Sequence, residues 1–330
     1  MVRIVRQTAP GGEQPRGRAV ATVRYYGAHK PVMAADVMER LFIDPSGVYL
    51  DATAGAGGFV RRILESLKDD GRVIAMDRDE EAIRHLQVMF EDDDRVVVTR
   101  DNFSKLALNP EVTAYRPLTG ILFDLGVSSH MLDDPTRGFS HRADAPLDMR
   151  MDTDGELTAS DVVNGYDSHA LERVFRDFGE EPRAGKLARA VVSARPIEGT
   201  AALAELLRTN VPWREEAKVI ARVFQAVRIE VNRELDALEE ALPAALEQLK
   251  VGGRMVVMSY HSLEDRRAKQ FFRDMSRNCT CPPEVPMCMC GGENARIRLH
   301  DRKALQAHED EVERNPRARS VRIRTAEKIR

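Results

Sequence analysis

No apolar run in this chain of 330 residues is long enough to cross a bilayer, and no charged-then-apolar leader opens it. Both absences lead us to expect a cytoplasmic protein. A large net charge is missing too: 50 Lys and Arg against 53 Asp and Glu leave −3, which does not advertise nucleic acid. The imbalance is local. Arg314, Arg317, Arg319, Arg322, Arg324, Lys328 and Arg330 crowd the C-terminus with Glu327 among them, a run that can bind phosphates or simply face solvent. Absent as well is the dinucleotide fingerprint, because Val60 stands where its third glycine would fall, which argues against NAD. What remains is an ordinary globule, 43% apolar and 31% charged, long enough for two domains or one elaborated one.

The stretch around which the chain is organised is Val48-Tyr49-Leu50-Asp51-Ala52-Thr53-Ala54-Gly55-Ala56-Gly57-Gly58-Phe59. It reads as a short apolar strand entering a glycine turn that opens a helix, since Val60, Ile63, Leu64 and Leu67 recur at helical spacing. An open α/β sheet holds nucleotide-like ligands at such a junction. Glycines such as Gly55, Gly57 and Gly58 let backbone come close to a ligand, and free amides at the helix start favour an anionic group. The next strand, Arg72 to Met76, ends on Asp77, where an acid can accept hydrogen bonds from a ribose. Asp51 adds a carboxylate for a ligand that is positively charged near its reactive end. S-adenosylmethionine has that chemistry: ammonium and sulfonium for acids, a carboxylate for helix amides, a ribose for Asp77. The plain alternative is that Asp51 caps a turn and Asp77 the next helix.

Residues 1–23, rich in Gly, Pro, Gln and Arg without hydrophobic period, read as a flexible extension, and His29 follows shortly after. Asp79 can cap a helix with Ala82, Ile83, Leu86 and Phe90 inward, and a third strand over 95–99 leads to Phe103, placed where an adenine could lie against its ring. The fourth strand, Gly120 to Asp124, puts Asp124 at a carboxyl end, where parallel sheets collect their chemistry. Residues 137–152 are charged and show no periodic face, which suggests a substrate lid. From about Asp161 the period is helical throughout: stripes of Leu171, Val174, Phe175 and Phe178, of Leu187, Ala190, Val191 and Ala194, and of Leu203, Leu206 and Leu207. A long helix then runs from about Glu215 towards Pro243, and Gly252 to Ser259 resumes the sheet as a fifth strand. Its exit, Tyr260-His261-Ser262-Leu263-Glu264-Asp265, should lie beside the exit of the fourth.

Cys279, Cys281, Cys288 and Cys290 form a C-x-C-x6-C-x-C cluster. Four thiols in one loop of a cytoplasmic chain suggest zinc before disulfides, but the spacing departs from the usual C-x2-C knuckle, and plain thiols in a loop are the alternative. Val321-Arg322-Ile323-Arg324-Thr325 alternates as a strand should, apolar inward and basic outward.

With these residues laid out, the chain resembles the bacterial family that methylates N4 of a cytidine in 16S ribosomal RNA, called RsmH or MraW. The likeness runs from His29-Lys30-Pro31-Val32 to Asn315-Pro316-Arg317-Ala318-Arg319-Ser320. Its most specific pieces are Asp124-Leu125-Gly126-Val127-Ser128-Ser129, Arg137-Gly138-Phe139-Ser140, Pro146-Leu147-Asp148-Met149-Arg150-Met151-Asp152, Phe224-Gln225-Ala226-Val227-Arg228-Ile229 and Ser259-Tyr260-His261-Ser262-Leu263-Glu264-Asp265. The resemblance implies a Rossmann-like, S-adenosylmethionine-dependent methyltransferase sheet with an inserted all-helical subdomain. Residues 24–134 and 225–330 would form the sheet domain, and 135–224 the lid loop and insertion. It also implies a donor site of Gly57, Gly58, Phe59, Asp77, Phe103, Asp124 and Met131. Phe59 stands where the family usually has histidine, and Met131 where it often has glutamine, so a side-chain hydrogen bond to the donor is lost at 131. Many relatives lack the four cysteines, so no metal ligand is assigned from the resemblance.

The expected reaction sets the roles. Cytosine's exocyclic amine is a poor nucleophile, and positioning rather than strong base catalysis must drive its methylation. Asp124 is expected to orient the amine or the donor, Ser259 or His261 to contact the base, and Tyr260 and Phe139 to stack on a base drawn from its helix. Arg317 and Arg319 would grip the phosphates of 16S ribosomal RNA in the small subunit; no DNA or membrane partner is expected. Two rivals differ in class. A methyltransferase for a small molecule or protein would have a cleft without basic surroundings. A non-enzymatic RNA-binding or assembly factor, built on the cysteine loop and basic tail, would not bind the donor.

Overall fold

Alternation along each strand decides which face a side chain takes. Tyr49, Val73, Ala75, Leu122, Val256, Met258 and Ile323 point to one side, while their neighbours Leu50, Ile74, Met76, Ile121, Phe123, Met255 and Val257 point to the other, all of them buried. The computed structural model describes residues 31–282 and 287–330. The extension expected over 1–23, and His29, lie outside the described residues.

The strands are β1 (Val48–Asp51), β2 (Arg72–Asp77), β3 (Val96–Arg100), β4 (Leu118–Asp124), β5 (Leu249–Ser259), β6 (Ile297–Leu299), β7 (Leu305–Gln306) and β8 (Arg322–Lys328). They form one sheet in the order β3-β2-β1-β4-β5-β8-β6, with β7 also on β8. The first five are parallel, and β8 runs antiparallel to β5. Parallel strands are buried on both faces, which is why β4 reads as a nearly continuous apolar run. Helices Ala34–Leu41, Gly58–Ser66 and Glu80–Met89 cover one face through Val37, Leu41, Val60, Ile63 and Leu86; Glu234–Gln248 and Ser262–Met275 cover the other through Leu238, Leu242, Ala268 and Phe272. Each fully buried aliphatic or aromatic side chain contributes about 1.5–3 kcal/mol. The chain winds outward from β1 through β2 to β3, then starts again at β4, so the order reverses between β1 and β4. The Rossmann-like sheet expected from the sequence is therefore present, and no helix among the described residues is long and apolar enough to cross a membrane.

Between β4 and β5 lies the all-helical insertion. Ala159–Gly165, Ser168–Asp177, Ala184–Ser193, Thr200–Thr209 and the first part of Glu216–Asn232 share a core of their own, built on Val162, Leu171, Phe175, Leu187, Val191, Leu203, Leu207 and Val223. The second stripe turns slightly from its expected register: Ala188 is buried, while Ala194 is the exposed C-cap.

Three expectations are corrected. The segment read as lacking a periodic face has one of period two: Ala145, Leu147, Met149 and Met151 are all buried, the last three in the core of the insertion. The long helix from Glu215 to Pro243 is two helices, broken at Arg233, whose φ of 48° is left-handed. Asn232 causes the break to be useful: its side chain donates to Met149 O at 2.7 Å and accepts from Met151 N at 2.7 Å, tying the two-residue face to the helix end. Finally β5 begins at Leu249, with a register shift against β4 and Gly252 at φ +81°, a conformation an L side chain resists.

Candidate active site

A cavity of about 270 Å³ opens at the carboxyl ends of the parallel strands, at the point where the strand order reverses. The turn after β1 forms one wall through Thr53, Gly55, Gly58 and Phe59. Gly57 caps the helix Gly58–Ser66 with φ +77°, and a Cβ there would sit 2.9 Å from Leu86, so the turn admits no side chain at this point. The amide of Gly55 donates to Asp77 Oδ2 at 2.8 Å and that of Asp79 to Asp77 Oδ1 at 2.9 Å, which locks the β2 carboxylate against the turn. Phe103 lines the cavity edge-on to Phe123, ring centroids 5.7 Å apart, and Met131 closes it from the helical side.

Acids dominate the floor. Burial pushes Asp77 and Asp124 up to about 6, and Asp51 up to about 8 with help from the charges of Asp124 and Asp77. Asp51 does not line the cavity; it is 1% exposed and accepts from Thr53 N at 3.2 Å. The hydroxyl of Thr53 in turn accepts from Asp124 N at 2.7 Å, so the first turn and the tip of β4 are joined directly.

The exit of β5 supplies the opposite wall. Tyr260 donates its hydroxyl to Asp124 Oδ1 at 2.7 Å. Its ring rests beside Gly126, where φ is +96° and a Cβ would already be 3.6 Å from the ring. Glu264 also faces the cavity, and its Oε2 accepts from the amides of Tyr260 (2.8 Å) and His261 (3.3 Å), a helix-start arrangement. Burial works to raise Glu264, but His261, Arg228 and the Tyr260 amide outweigh it and hold the carboxyl below its usual range. Tyr260 thus lines the cavity as a hydrogen-bond donor. Neither Ser259 nor His261 is brought to the cavity wall: alternation turns the buried Ser259 into the sheet, and His261 Nε2 lies 3.2 Å from Glu264 Oε1.

A second cavity, of about 420 Å³, adjoins the first and shares Val127, Asp133 and Arg317 with it. Phe139, His141, Arg142, Phe224 and Arg228 line it, with the His141 and Phe224 rings edge to face at 5.4 Å. Arg317 lies 3.9 Å from Asp133 and Arg319 is exposed, lining neither cavity. Arg322 and Arg324 converge on Asp265 at 3.0 and 2.7 Å, so the basic face expected of β8 is engaged within the fold. Thr53, Glu234, Glu264 and Asp133 were missed by sequence reasoning. Only Glu264 carried a signal, three residues after the helix cap His261.

The residues present fit S-adenosylmethionine. The turn brings bare backbone to the cavity at Gly55 and Gly58, and Asp77 and Asp124 are carboxylates without a cationic partner within 4 Å among the described residues. A cationic donor would supply that partner.

Comparison with known proteins agrees. Over 310 residues the chain is 44% identical to ribosomal RNA small subunit methyltransferase H of Heliobacterium modesticaldum, covering 92% of this chain and 99% of that one. The protein of the same name from Paenibacillus sp. is 44% identical over 314 residues, covering 91% and 99%, and that of Fusobacterium nucleatum 41% over 305 residues, covering 91% and 97%. A profile of the MraW methylase family matches residues 27–329, which takes in both cavities and every strand of the sheet, and the chain belongs to that family.

Proposed function

We propose that this protein transfers a methyl group from S-adenosylmethionine to the exocyclic N4 amine of a cytidine in 16S ribosomal RNA, in the decoding region of the small ribosomal subunit, and does so in the cytoplasm. The observation that carries the reading is the placement of Asp124 at the tip of β4, in the switch-point cavity, with one carboxylate oxygen held by Tyr260 at 2.7 Å. S-adenosylmethionine supplies an electrophilic methyl carbon on a sulfonium. Asp77, fixed by two backbone amides, suits a ribose, and the amides of the turn suit the donor's carboxylate.

Tyr260 occupies Asp124 Oδ1, which leaves Oδ2 to accept from an amine N–H. That hydrogen bond aims the nitrogen lone pair and stabilises the positive charge that grows on nitrogen as the N–C bond forms and the S–C bond breaks. One amine proton is then lost, and Asp124, with a pKa of about 6, is able to take it. The second cavity supports RNA over a small molecule, because it offers Phe139, Phe224 and His141 as ring surfaces beside Arg142 and Arg317. The names of the relatives point to the same substrate class. In this reading 135–224 serve substrate and the sheet domain serves the donor.

The test is mass spectrometry of 16S ribosomal RNA from a strain lacking the protein. A cytidine methyl group should vanish, return with the wild-type gene and stay absent with Asp124→Ala. An RNA fully methylated in the deletion strain would sink the proposal, and donor binding measured by calorimetry separates an enzyme from a pure assembly factor.

A further inference from the structure

The loop between the helix Ser262–Met275 and β6 holds four cysteines, none of them in a disulfide. Their sulfurs converge on one point: all four Sγ atoms lie within 4.8 Å of one another. Cys279 is 3.7 Å from Cys288 and 3.8 Å from Cys290, and Cys288 is 3.5 Å from Cys290. A disulfide needs about 2.05 Å, so these are not bonded pairs. A metal at about 2.3 Å from each of four tetrahedral sulfurs sets them about 3.8 Å apart, close to the 3.5–3.8 Å that separates Cys279, Cys288 and Cys290.

Two backbone contacts to the sulfurs point the same way. The amide of Thr280 donates to Cys290 Sγ at 3.3 Å and that of Met289 to Cys281 Sγ at 3.2 Å, and N–H groups aimed at sulfur stabilise negative charge there. No apolar core explains the convergence either. Cys279 and Cys288 are exposed, and the neighbouring Met287 and Met289 are 78% and 84% exposed. At the base of the loop Asn294 Nδ2 donates to Asn278 O at 3.1 Å and Cys290 O at 3.2 Å.

We infer that Cys279, Cys281, Cys288 and Cys290 bind one zinc ion in a closed, structural site that lines neither cavity. With sulfur at all four positions no place is left for water or substrate, so the ion orders the loop and takes no part in methyl transfer. Zinc is redox-inert and prefers tetrahedral thiolate ligands, and the two C-x-C arms reach around it from opposite ends of the loop. Binding free energy in such a site is folding free energy for the loop.

The test uses the full chain purified without metal-affinity resin. Elemental analysis should find one zinc per chain, released when a mercurial titrates four thiols. The double variant Cys281→Ser, Cys288→Ser should carry no zinc above background and be cut faster by protease in this loop, while binding S-adenosylmethionine as the wild type does. Cobalt(II) reconstitution should give the intense charge-transfer bands of a tetrahedral thiolate site, a readout independent of any variant's folding. Zinc well below one per chain with all four thiols reacting at once would overturn the inference, as would stoichiometric iron.

Discussion

Tyr260 and Asp124, 136 positions apart in sequence, meet at 2.7 Å across the mouth of the cavity. The contact acts on both partners. It helps ionise Asp124, which burial alone would hold higher, and together with burial it keeps the Tyr260 phenol protonated as a donor.

Tyr260→Phe removes that donor and nothing else from the ring. A hydrogen bond to a charged group is worth about 1.5–3 kcal/mol, or roughly one to two pKa units. The Asp124 pKa should therefore rise from about 6, and the acid limb of the rate profile should move to higher pH. Activity at pH 7 should fall about two- to tenfold and recover by about pH 9. An unchanged pH profile would show that the phenol does not tune Asp124.

Donor binding should release protons. Burial holds Asp77 and Asp124 up at about 6, and a sulfonium brought close lowers both. Calorimetry at pH 6 in buffers of different ionisation enthalpy should report net release that fades by pH 8. The demethylated product, which lacks the sulfonium charge, should release fewer protons. Buffer-independent heats at pH 6 would place the donor away from these acids.

Asp51 makes a prediction about stability. Burial raises it from 3.8 to about 8, so the folded chain keeps a proton that the unfolded chain gives up. Stability must then fall as pH rises from about 4 to about 8, by up to roughly 1.4 kcal/mol per unit from this group. Asn retains an oxygen for the Thr53 amide and carries no charge. Asp51→Asn should flatten the decline, and its melting temperature should exceed that of wild type most clearly at pH 8 and above. A melting curve set that shows parallel pH dependences for the two proteins would refute this.

Arg137 joins the insertion to the sheet domain. It lies 3.2 Å from Asp79 and from Glu81, and donates to the carbonyls of Arg150 and Met151 at 3.1 Å. Asp79 is 2% exposed, so Arg137→Met would leave a buried carboxylate short of its cation. Urea unfolding should register a loss of about 3–5 kcal/mol. A loss below about 1 kcal/mol, the range of exposed pairs, would mean water replaces the guanidinium.

The glycine turn, the strand tips and the helical insertion were legible because local pattern settles them: short apolar runs in β1 and β2, helical stripes at Leu171 and Leu203, glycine where the turn is tight. What escaped depends on distant partners. The break at Arg233 comes where Asn232 binds the backbone of Met149 and Met151, more than eighty positions away. The period-two burial of Ala145 to Met151 was written in the sequence but hidden by the charges between. At the exit of β5, residue type pointed to Ser259, Tyr260 and His261 alike, and of the three Tyr260 lines the cavity while His261 rests against Glu264. The second cavity draws its walls from segments as far apart as Val127 and Arg317, a neighbourhood no local pattern spells out.

The placement of the insertion between β4 and β5 bears on how the molecule is made. During synthesis β4, buried along six of its seven residues in the finished protein, is the outermost strand until the entire insertion and β5 have emerged. The nascent chain therefore carries an unpaired, greasy sheet edge for that whole interval, and an insertion that collapses promptly on its own core shortens the interval in which two such chains can stick together.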